Sequence, residues 1–60
     1  MAEIHYKVVE SSDVSDMEIE RILNETTAEG WKFDTLQFAM RESSKRPAMV
    51  FVVFTRHEDR

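Results

Sequence analysis

Sixty residues contain no cysteine, one glycine and one proline, and each scarcity removes a class of protein. Without thiols there is no disulfide framework, no thiolate zinc or iron-sulfur site and no cysteine nucleophile. A single glycine cannot build a Gly-rich phosphate loop. The longest apolar run is far too short to cross a bilayer, and the first residues lack the basic start and apolar core of a leader peptide. A soluble cytoplasmic protein with no membrane partner is therefore expected. Two histidines far apart in sequence, His5 and His57, make a weak case for a metal, and no metal or cofactor is expected. A chain this small sits near the lower limit for burying enough apolar surface to offset its conformational entropy. With disulfides and metals set aside, close packing or a partner subunit must supply the rest.

Charge is present but unevenly placed. The net charge is −4, yet residues 10 to 29 hold seven acids and one base, while residues 30 to 60 hold six bases and four acids. An acidic protein repels phosphate backbones at long range, so nucleic acid is not an expected partner.

The hydrophobic pattern gives four elements in the order βαββ. Ile4, Tyr6 and Val8 alternate with His5, Lys7 and Val9, which predicts a strand over about 3–10. Ser15 to Glu18 reads as a capping box, with Val14 and Ile19 placed for a hydrophobic staple and Asp16, Glu18 and Glu20 near the positive end of the helix dipole. Ile19, Ile22, Leu23 and Thr26 form one apolar stripe, and Gly30 stands where a left-handed cap would end a helix over about 16–29. A second strand over about 31–41 has Trp31 and Phe33 out of phase with Leu36, Phe38 and Met40, which predicts a bulge near Asp34. A polar loop over about 41–47 leads to a third strand over about 48–56.

That third strand begins Ala-Met-Val-Phe-Val-Val-Phe, apolar on both faces if extended. Such a strand belongs in the middle, so the expected fold is α+β: a mixed three-stranded sheet in order 1-3-2 with the helix on one face. The stronger faces of the outer strands, Ile4, Tyr6 and Val8 with Leu36, Phe38 and Met40, are expected under the helix. The opposite face, with Val9, Thr35, Gln37, Ala39, Val50 and Val52 as candidate residues and the side of the third strand that meets the helix left open, is then an apolar centre with a polar margin, the anatomy of an association surface. A homodimer is expected, packed sheet to sheet or, as a second possibility, edge to edge.

The segments Tyr6-Lys7-Val8-Val9-Glu10, Leu23-Asn24, Glu29-Gly30-Trp31 and Phe54-Thr55-Arg56 resemble a family of small bacterial proteins catalogued as domain of unknown function 4177. The resemblance spans nearly the whole chain and implies a compact α+β domain, with no catalytic residue, cofactor or substrate to carry over. The loop from Arg41 to Pro47 is longer and more basic than that family's usual connection.

Other residues invite sharper readings. Trp31 follows the cap glycine and is read as packing on the helix end rather than stacking a ligand. Glu29 lacks a second titratable group at useful spacing and is not read as an acid or base. His5 and His57 approach if the first and third strands pair antiparallel, with Glu3 and Glu58 nearby, but a metal site on strand ends lacks supporting order. Arg41, Lys45 and Arg46 form a candidate anion-binding loop. The leading reading is thus a non-catalytic homodimeric module. The alternative is a small binding domain that uses this loop or the open sheet face for an anionic ligand or RNA.

Overall fold

The computed structural model describes residues 2–40 and 47–59. It contains β1 (Ala2–Ser11), α1 (Asp16–Ala28), β2 (Lys32–Met40) and β3 (Pro47–Asp59). The strands form one sheet in order β1-β3-β2, with both pairings antiparallel. The sheet is therefore antiparallel throughout rather than mixed, because β1 and β2 run parallel to each other but never touch as neighbours. The expected basic loop, with Arg41, Lys45 and Arg46, lies outside the described residues.

Local chemistry fixes both ends of α1. Ser15 is extended (φ −127°, ψ 157°), and its hydroxyl accepts the Glu18 N–H at 3.2 Å, filling one of the orphan donors of the first turn. The reciprocal half of the capping box does not form. The Glu18 carboxylate instead accepts from Arg21 Nε at 2.6 Å and from Ser11 Oγ at 3.2 Å. At the other end Gly30 adopts φ +98°, its N–H donates to Thr27 O at 3.0 Å, and the Trp31 N–H donates to Thr26 O at 3.4 Å. This is the Schellman pattern, which turns the chain back toward the sheet with Trp31 against the core.

The core is small. Ile22 of α1 meets Val50, Val52 and Phe54 of β3, and Val9, Val14, Ile19, Leu23, Trp31 and Leu36 pack around them. The apolar stripe of α1 is thus used as its spacing implies, with Thr26 also buried. Phe33 adds an edge-to-face contact with Phe54, ring centroids 6.3 Å apart. The register of β2 shifts between Phe33 and Thr35, at Asp34, and again between Ala39 and Met40.

One layer is short relative to the other. α1 and β3 each hold 13 residues, but a helix of that length spans about 20 Å and a strand about 43 Å. The radius of gyration is 13.5 Å, against about 10 Å for a compact chain of this size. The molecule is a slab with one helix lying over part of one face.

Two outcomes follow for the helix ends. Gly30→Ala meets no neighbour within 4 Å of the added Cβ, so its cost is the left-handed backbone alone. Urea unfolding should show a loss of about 1 kcal/mol. Hydrogen bonding from Arg21 holds the Glu18 carboxyl below its ordinary value of 4.5. A carboxyl depressed in the folded state contributes stability that is present above the unfolded value and lost as pH falls through the folded one. NMR titration should find Glu18 ionising below 4.5, and Arg21→Met should move it upward.

Candidate interaction surface

Residues directly opposite in an antiparallel pair share a face. Val50, Val52 and Phe54 are fully buried against α1, so their partners face the helix too: Ser11, Val9 and Lys7 on β1, and Phe38, Leu36 and Phe33 on β2. The alternate positions form the uncovered face. On β1 these are Ile4, Tyr6, Val8 and Glu10, on β3 Met49, Phe51, Val53, Thr55 and His57, and on β2 Lys32, Thr35, Gln37 and Ala39.

This corrects the expected assignment on two strands. Thr35, Gln37 and Ala39 do lie on the open face, but Val9, Val50 and Val52 lie beneath the helix. Ile4, Tyr6 and Val8, expected under the helix, are 52, 65 and 59% exposed on the opposite side. On β2, Leu36 joins the core while Phe38 and Met40 stay about half exposed, because the helix is too short to cover the sheet.

The cause lies in the turn from β1 to α1. Ser11 Oγ accepts the Asp13 N–H at 3.1 Å and donates to the Glu18 carboxylate at 3.2 Å. Both partners lie on the way into the helix, so Ser11 must point toward it. A period of two then carries Val9, Lys7 and His5 to the same side and sends Val8, Tyr6 and Ile4 to the other.

Amphipathic side chains finish the helix face where α1 ends. The Arg56 guanidinium stacks 4.5 Å from the Trp31 ring centroid, with Lys7 Nζ at 5.8 Å. Lys7 also pairs with Glu29 at 3.1 Å. Trp31 therefore packs on the helix end with two cations against its ring. Beyond it, His5 Nε2 stands 3.3 Å from Glu58 and 3.5 Å from Glu3, and Arg56 approaches Glu58 at 3.8 Å. Among the described residues Glu3, His5 and Glu58 bring their nitrogen and oxygen atoms within 4.8 Å of one another. His57 is not part of this cluster. Paired with Ile4, it sits on the open face, so the two histidines are on opposite sides of the sheet.

The open face is asymmetric. Its apolar side chains, Ile4, Tyr6, Val8, Met49, Phe51 and Val53, run along β1 and β3, while Thr35, Gln37 and Ala39 line the β2 flank. It carries Glu10 toward one end and Lys32 at the other, with the His57 imidazole beside Ile4. A second surface feature, an open groove lined by Asp13, Ser15, Met17, Glu18 and Arg21, holds mainly the capping residues and their ion pair.

No protein-family model, curated protein or solved structure matches this chain. No helix among the described residues is long and apolar enough to cross a membrane.

The stacking of Arg56 on Trp31 is measurable. Arg56→Ala should lower stability by about 1 kcal/mol, and Lys7→Ala, whose ammonium is further from the ring, by less. Urea unfolding followed by fluorescence of Trp31, the one tryptophan in the chain, reads both.

Proposed function

We propose that this chain is a cytoplasmic, non-catalytic interaction module that works as a homodimer, its open sheet face covered by a second copy. The observation that carries this reading is the exposure of Ile4, Tyr6 and Val8 beside the half-buried Met49, Phe51 and Val53 of the central strand. Contiguous apolar surface of this kind on a small domain marks a place of association. Three strands about 4.8 Å apart and some nine residues long make a footprint of roughly 400 Å² before side-chain relief is added. With that relief the face approaches the scale of a small specific interface, about 600 to 800 Å² for each partner. A second copy also supplies the apolar layer that a chain without disulfides lacks.

The absence of catalysis is supported by the composition. There is no thiol, and the titratable groups gathered at the sheet end, Glu3, His5, Arg56 and Glu58, are engaged with one another. The alternative, a surface for RNA, has the aromatic Tyr6 and Phe51 in its favour. Glu10 on the same face and the net charge of −4 weigh against it, since stacking platforms for single strands sit in positively charged grooves. Membership of the unknown-function family that the chain resembles would add no activity to this reading.

Sedimentation equilibrium across a wide concentration range tests it. The wild-type chain should show a monomer–dimer equilibrium, and Val8→Asp should weaken association roughly tenfold or more while circular dichroism keeps the βαββ signature. A monomer mass at every concentration would sink the reading.

A further inference from the structure

Resting on the homodimer reading, we infer that the two copies stack face to face with their β1–β3 strips overlaid, centred on the Val8–Val53 pair. The rival geometry is pairing of the free β1 edges into one continuous six-stranded sheet. The register between β1 and β3 runs unbroken from Ala2 to Ser11, so β1 offers an open edge of ten residues, and an unpaired edge of this length invites pairing.

Edge pairing nevertheless leaves the larger problem untouched. A two-fold axis normal to the sheet would place both helices on one side and both open faces on the other. Ile4, Tyr6, Val8, Phe51 and Val53 of each copy would stay in water, and the exposed apolar face would double in area. Hydrogen bonds gained at the edge replace bonds to water and contribute little net stability each, whereas apolar burial contributes about 25 cal/mol for each Å² removed from water. Stacking covers the face, so stacking is the favoured association.

The position of the axis follows from the uneven face. A two-fold interface buries the same patch on both copies, so the axis passes through the centre of that patch. The apolar side chains occupy β1 from Ile4 to Val8 and β3 from Met49 to Val53, and Val8 and Val53 are paired directly at the inner end of both stretches. With the axis there, the strips overlie each other about 10 Å apart. Thr35 and Gln37 of β2 fall at the polar margin, and the β1 edges stay unpaired. Glu10, opposite Phe51 on the outer edge of β1, and His57, beside Ile4 at one end of the strip, remain at its periphery, where water reaches them.

The test is isotope-filtered NMR on a dimer mixed from labelled and unlabelled chains, joined to amide hydrogen exchange. Stacking predicts interchain NOEs linking Val8, Val53, Phe51 and Tyr6 side chains, with fast exchange at the β1 amides not bonded to β3. A dimer that protects those outer β1 amides and shows no interchain NOE between open-face side chains overturns the stacked geometry while leaving the homodimer standing. Interchain NOEs centred on Thr35 and Gln37 instead overturn the placement of the axis. A chain monomeric at NMR concentration removes the homodimer reading and this inference with it.

Discussion

The Ser11 hydroxyl sets the side of the sheet on which everything else falls. It takes the Asp13 N–H and gives its own hydrogen to Glu18, so it ties the end of β1 to the first turn of α1. Strand side chains alternate strictly, and one fixed residue therefore fixes the strand. Val9 goes into the core, Lys7 and His5 go to the cations and carboxylates around Trp31, and the three strongly apolar residues are left facing outward. The outcome looks unfavourable within one chain, since a sheet that buried Ile4, Tyr6 and Val8 under its helix would hide more apolar surface. It fits the proposed homodimer, in which a second copy covers the outer face.

The helix face is completed in two materials. Over the middle of the sheet α1 supplies aliphatic side chains. Past its C-terminus Trp31 takes over, with the Arg56 guanidinium over the indole ring and the Lys7 ammonium further from it. Further out the face ends in Arg56 beside Glu58 and the His5 imidazole beside Glu3 and Glu58. This gradient from aliphatic to aromatic to ionic lets a helix of about 20 Å serve a sheet more than twice as long. Exposed ion pairs of this sort contribute little to stability, so their role is to finish a polar end to the face rather than to hold it closed.

Much of the fold was legible in the chain. Ser15 and Gly30 bracket α1 because caps need specific side-chain and backbone chemistry. The doubly apolar run at 48–54 placed β3 in the centre of the sheet, where the pairing puts it. The phase break around Asp34 corresponds to a real shift in register. Of the residues expected on the face away from the helix, Thr35, Gln37 and Ala39 of β2 lie there. Val9, Val50 and Val52 do not, for different reasons. On β3 both faces are apolar, so no pattern distinguishes the side under α1. On β1 the apolar pattern was informative but pointed to the wrong layer: it marked a buried face without saying what buries it. The Ser11-Ser12-Asp13 turn held the missing signal, since a serine that must serve the helix entry also declares the parity of its strand.

The sequence by itself determined the elements and their order, because caps, periodicity and composition act over a few residues. Tertiary structure decided which face of the sheet the helix leaves uncovered. Parity depends on a hydrogen bond between the last residue of β1 and the third residue of α1, and on a register that carries this choice across β3 to β2. Neither is visible until the strands are paired, because alternation fixes which residues share a side but not which side meets the helix.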